Sequence, residues 1–138
     1  MKKLNIPFRI DKQYENWQFE LDSLPTRKNG YESYRYIGKK LNIFLNFSTT
    51  KTELIFNADY LTAVFITFED NNNPSILELE NCLIASNFTF KILHHNFKTF
   101  EYAKRLYCIY TNPKKGSFYL IYGKCRFIKK HLLLLQKH

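Results

Sequence analysis

Ten basic side chains lie in the last forty-two residues of this 138-residue chain: Lys98, Lys104, Arg105, Lys114, Lys115, Lys124, Arg126, Lys129, Lys130 and Lys137. They face a single acid, Glu101. Residues 1–96 hold eleven bases and eleven acids, so the whole formal charge of +9 belongs to one end. Cations in such number suit the holding of an anion. If Lys114, Lys115, Lys124, Arg126, Lys129 and Lys130 meet on one surface, they can contact several phosphates, with an affinity that falls steeply with salt. Tyr119 and Tyr122 are interleaved with them, and a ring stacked on a nucleobase contributes ~1–3 kcal/mol. These eight residues form the candidate anion-binding surface.

One stretch within it, Lys115-Gly116-Ser117-Phe118-Tyr119-Leu120-Ile121-Tyr122, partly resembles the RNP1 strand of RNA-recognition motifs. Lys115, Gly116, the fifth-place aromatic Tyr119, the aliphatic Leu120 and the final aromatic Tyr122 fit that pattern. Ser117 stands where the motif places a stacking aromatic, and Phe118 where it places a small residue. The resemblance covers eight residues and implies an RNA-facing strand with half of the usual stacking pair.

Other residues able to do chemistry are sparser. His94 and His95 are adjacent, so in a strand they face opposite sides and only one can enter a given site. Either could join His131 or a lysine as the acid–base pair of a small metal-independent nuclease. Glu69-Asp70 precedes a loop, and Glu78 and Glu80 are two apart on a helix, facing away from each other. A magnesium site needs convergent oxygens, and this spacing does not supply them. The sequence has no glycine-rich phosphate loop, no GxSxG and no HExxH. The expectation is no catalytic residue, no metal and no cofactor.

These residues must be positioned by the elements around them. Trp17, Phe19 and Leu21 alternate with polar residues, which predicts a half-buried strand. Pro25 and Asn29-Gly30 mark a loop. Tyr34 and Tyr36, then Leu41, Ile43, Leu45 and Phe47, continue the two-residue period. Leu54 and Phe56 form a strand, Asn57-Ala58-Asp59 a turn, and Leu61 to Phe68 a strand apolar on both faces, as a central strand is. Asn73 and Pro74 predict a helix start, and Ile76, Leu79, Leu83 and Ile84 follow helical spacing, with Asn87 as C-terminal cap. Phe88, Phe90 and Ile92 return to strand period. A short helix is expected over 98–105, capped near Asn96 or Thr99. A hairpin follows over 106–122 through Asn112-Pro113-Lys114-Lys115-Gly116, with a helix extended through Tyr110 as the competing assignment. An amphipathic helix is expected over 127–136, with Phe127, Ile128, His131, Leu132, Leu134 and Leu135 on its apolar side. The predicted class is α+β in a single domain: an antiparallel β meander, a β-α-β unit, a short helix, a hairpin and a C-terminal amphipathic helix.

Composition bounds the rest. The chain is 45% hydrophobic and 17% aromatic, which is a folding composition. Cys82, Cys108 and Cys125 are scattered and read as reduced, mostly buried thiols of a cytosolic protein. Charged and polar residues at Asn5, Arg9, Asp11 and Lys12 interrupt any secretory h-region, and no apolar run approaches the ~20 residues of a membrane span. Three functions are therefore expected. The first is a non-catalytic module binding nucleic acid, RNA or single strands, through its basic end. The alternative is a protein-interaction module, such as a bacterial immunity protein or antitoxin, that blocks an acidic partner. The third is the small nuclease. Oligomeric state is not read from the sequence, although the edge strand of the meander could pair with a second chain.

Overall fold

The computed structural model describes residues 6–45, 47–69, 76–91, 97–112 and 117–136. Ten strands and two helices follow one another: β1 (Leu21–Leu24), β2 (Glu32–Tyr36), β3 (Ile43–Phe44), β4 (Phe47–Ser48), β5 (Lys51–Asn57), β6 (Tyr60–Glu69), α1 (Ile76–Ala85), β7 (Thr89–Lys91), β8 (Lys98–Tyr102), β9 (Arg105–Asn112), β10 (Ser117–Lys124) and α2 (Cys125–Gln136). Eight strands make one antiparallel sheet in the order β1-β2-β5-β6-β10-β9-β8-β7, and β3 and β4 form a separate ribbon. The class is α+β, as the pattern predicts.

The sheet consists of two four-stranded meanders, each followed by a helix. They join where β6 pairs with β10 along Ser117↔Glu69 to Gly123↔Ala63. Alternation along these strands builds a core on each face. Val64, Ile66, Phe68, Tyr107, Ile109, Phe118, Leu120 and Tyr122 face one side. There they meet Leu79 and Leu83 of α1, Phe8 and Trp17 of the N-terminal segment, and Phe44 of the ribbon. Ala63, Phe65, Leu106, Cys108 and Ile121 face the other side, against Phe127, Ile128 and Leu132 of α2. The two helices thus cover opposite faces, and β6 is buried on both, as its continuous apolar run predicts.

Local chemistry explains the turns. Ala58 and Asp59 both have positive φ, 50° and 70°, the geometry that a two-residue hairpin between right-twisted strands demands. Asn87, at φ 69°, closes α1: Phe88 N–H donates to Leu83 O at 3.0 Å and Asn87 N–H to Ile84 O at 3.1 Å. This is the Schellman pattern, with buried Phe88 packing back toward the helix.

Several expectations need correction. The stretch Trp17–Leu21 is not a strand: Gln18–Glu20 is a 3₁₀ turn and the strand begins at Leu21. Trp17 is drawn inward by Phe8 and Phe56, at ring distances of 5.5 and 6.1 Å, while Phe19 is 90% exposed. Leu41 to Phe47 is not one strand, because Leu45 at φ 46° reverses the chain between β3 and β4. The helix expected over 98–105 is strand β8, followed by a turn at Ala103 and Lys104, φ 49° and 66°. Pairing of Thr99 to Tyr102 with β9 outweighs the local helical preference. The β-α-β unit is wide: α1 carries the chain from β6 across three intervening strands to β7 at the far edge. Helix α2 starts at Cys125, two residues earlier than the pattern suggests. The 106–122 hairpin is present as β9 and β10, so the competing helix through Tyr110 does not form. Its tip, 113–116, and the Asn73-Pro74 start of α1 lie outside the described residues, as do the caps expected at Asn96 and the pair His94 and His95.

Candidate anion-binding surface

Lys124 ends β10 and Cys125 begins α2, with no loop between them. Helix α2 folds back over the sheet, so Phe127, Ile128 and Leu132 are buried while Arg126, Lys129 and Lys130 stay in water. Just before the turn, β10 lies close against β6 at Gly123, which has no side chain. A Cβ there would run into Thr62 O and come within 2.8 Å of Ala63 Cα, both on neighbouring β6.

A second segment meets the start of α2. Residues 25–31, between β1 and β2, turn at Gly30, which has φ 88°. The Arg27 guanidinium grips the buried Glu53 carboxylate with two hydrogen bonds, 2.6 and 2.9 Å, and lies 4.7 Å above the Phe65 ring. That anchor places Lys28 over the rings of Tyr31 and Phe127, 5.4 and 5.9 Å away. Four cations, Lys28, Lys124, Arg126 and Lys130, then line one cavity of about 190 Å³ beside Tyr31 and Thr62. No carboxylate among the described residues lines it. Lys129 lies exposed on the same helix.

The electrostatics are uneven. Lys124 Nζ is 2.8 Å from Asp11, which also holds Arg105 at 2.7 Å. Hydrogen bonding to Lys124, with the attraction of both cations, keeps the Asp11 carboxyl below its usual range against a smaller cost of burial. Lys124 is therefore partly neutralised by the N-terminal segment. Lys28, Arg126, Lys129 and Lys130 make no ion pair among the described residues. Lys98, another base of the charged end, is tied to Glu80 at 3.0 Å.

The expected site residues divide accordingly. The structure brings Lys124, Arg126 and Lys130 together, and Lys129 shares the helix of Arg126 and Lys130. Lys114 and Lys115 lie outside the described residues. Ser117 begins the strand that ends at Lys124, and seven residue steps at ~3.3 Å put roughly 23 Å between the two ends. Tyr119 keeps partial exposure, with its ring stacked on Tyr110 at 4.9 Å. Tyr122 requires correction. It is 0% exposed, its ring stacks on Tyr107 at 4.9 Å, and its hydroxyl donates to Phe8 O at 2.5 Å. Strand parity sends it to the core with Phe118 and Leu120, so it presents no face to a nucleobase. Ser117 and Tyr119, the third and fifth places of the RNP1-like stretch, share the opposite face.

Lys28 and its anchor Arg27 belong to the electrically neutral part of the chain, and sequence reasoning missed them. The Asn29-Gly30 turn signal beside them marked a loop without showing where it lies.

His131 packs edge-on to Phe65 at 4.7 Å and parallel to Phe127 at 6.5 Å. Burial, with the Arg27 guanidinium nearby, holds its imidazole down to about 4, so it is neutral at pH 7. The carboxylate acting on it is Glu53, whose two oxygens are held by Arg27. Among the described residues, no three His, Cys, Asp or Glu side chains cluster as metal ligands. No described helix is long and apolar enough to cross a membrane. Comparison with protein-family models, curated proteins and solved structures finds no match to this chain.

Proposed function

We propose that this protein is a non-catalytic binding module that engages nucleic acid, RNA or single-stranded, through the basic surface at the start of α2. One observation carries the proposal: Lys28, Lys124, Arg126 and Lys130, from two distant parts of the chain, crowd one small cavity that no acid among the described residues lines. Like charges so placed repel one another, and an anion that displaces their counter-ions relieves that repulsion. Phosphate groups along a backbone suit a surface that continues from this cavity along α2 to Lys129. Partly exposed Tyr119, on the sheet face that α2 covers, is the remaining candidate for contact with a base.

The test is charge reversal at four exposed positions, Lys28→Glu, Arg126→Glu, Lys129→Glu and Lys130→Glu, in the full chain. Labelled single-stranded RNA should bind the parent protein at low salt and not bind the fourfold variant, while far-ultraviolet circular dichroism remains unchanged. Equal binding by both proteins would overturn the proposal. Failure of RNA and single-stranded DNA to bind the parent removes nucleic acid and leaves an acidic protein as the partner class.

A further inference from the structure

A second cavity, of about 360 Å³, adjoins the first and shares Lys28, Phe127 and Lys130 with it. Its chemistry is different. Leu133 and Leu134 line it while leaving 57% and 56% of their surface in water, and Phe127 and His131 supply ring faces. Arg27, Lys28 and Lys130 complete the lining, again with no carboxylate among the described residues. Arg27 is committed to Glu53, so the two lysines carry the available charge. Phosphate binding makes no use of two adjacent exposed leucines. Small-molecule sites are typically about 300–1,000 Å³, mostly apolar, with a few charged groups that fix orientation.

We propose that this groove binds an amphiphilic organic anion, its apolar body against Phe127, Leu133 and Leu134 and its carboxylate or phosphate against Lys28 and Lys130. Charge complementarity selects this class: among the described residues the lining offers two cations to an anionic head and no acid to a cationic one. The apolar side offers a body something to cover, and removing those leucines from water is the favourable term that an inorganic anion cannot supply. The groove is separable from the nucleic-acid surface, since its leucines contribute nothing to phosphate contact.

The probe is 1-anilinonaphthalene-8-sulfonate, titrated into the full chain at neutral pH. It should bind saturably at one site with enhanced fluorescence, while near-ultraviolet circular dichroism stays native. Leu134→Ser and Lys130→Glu, both at exposed positions, should each weaken it about tenfold. Decanoate should displace the probe, and decanol at the same concentration should not. RNA affinity should be unchanged in Leu134→Ser, so this result stands or falls apart from the nucleic-acid proposal. Absence of saturable binding, equal affinity in both variants, or equal displacement by decanol would overturn the assignment.

Discussion

His131 and Tyr122 show how little a residue's type says until its face is known. Both sit among the basic residues of the C-terminal third, yet Tyr122 is fully buried, and His131 is neutral at pH 7 and lines an apolar groove. The imidazole, at about 4 in the fold and near 6.5 in an unfolded chain, takes up its proton only after unfolding across that interval. Its contribution to stability is therefore complete above about pH 6.5 and is lost as pH falls toward about 4. The groups around it are Arg27, Glu53, Phe65 and Phe127. Urea unfolding of the parent and His131→Phe should show a stability difference that is constant above pH 6.5 and shifts in favour of the variant below it. A difference that ignores pH would contradict the buried, neutral imidazole. Tyr122→Phe keeps the ring stack on Tyr107 and removes the hydroxyl donated to Phe8 O, leaving that carbonyl without its partner. It should lower unfolding free energy by about 1–3 kcal/mol, measured by the same method. That Tyr119 and Tyr122 could not share a face was legible in advance, since residues an odd number apart point to opposite sides of a strand. Which of the two is buried was not, because β10 is apolar on both sides, with Phe118 and Leu120 on one and Ile121 on the other. Nothing local marked Lys28.

At the scale of elements, the loop and helix that carry the cations are fixed by specific contacts with the sheet. Arg27 secures residues 25–31 to β5 through Glu53, whose carboxylate is buried. Arg27→Ala leaves that carboxylate without its cation and should destabilise by about 1–3 kcal/mol, less than a fully buried pair because Arg27 is half exposed. The double variant Arg27→Ala with Glu53→Gln should recover part of the loss in chemical unfolding; additive losses would mean the pair is uncoupled. Gly123→Ala forces a methyl group into β6 at the junction of β10 with α2 and should cost about 1–3 kcal/mol. An unchanged midpoint would contradict that close approach. The elements readable from sequence were those whose period matched their burial, β6 and the β9–β10 hairpin, and in part α2, where Phe127, Ile128 and Leu132 are buried as expected while Leu134 is left 56% exposed. The rest were hidden by competition. Trp17 to Leu21 alternates as a strand does, but Trp17 packs against Phe8 and Phe56 and residues 18–20 form a 3₁₀ turn. Residues 98–105 have no glycine or proline to announce their turn, because Ala103 and Lys104 adopt the left-handed conformation themselves.

Across the whole molecule, two meanders meet at β6 and β10, and the helix that ends each of them covers a different face. That arrangement puts the start of α2 beside the 25–31 loop, joining residues about a hundred positions apart. The excess charge of one end was visible in sequence, but its distribution was not. Asp11 reaches from the N-terminal segment to claim Lys124 and Arg105, while Lys28 arrives from the neutral part to replace what they lose. The most direct test of this surface is the salt dependence of single-stranded RNA binding. With Lys28, Arg126, Lys129 and Lys130 each displacing a counter-ion, the logarithm of affinity should fall against the logarithm of salt with a slope of about −3. Reversing any one of the four should make that slope shallower. A flat salt response, or a slope that survives their removal, would show that these cations do not hold an anionic backbone.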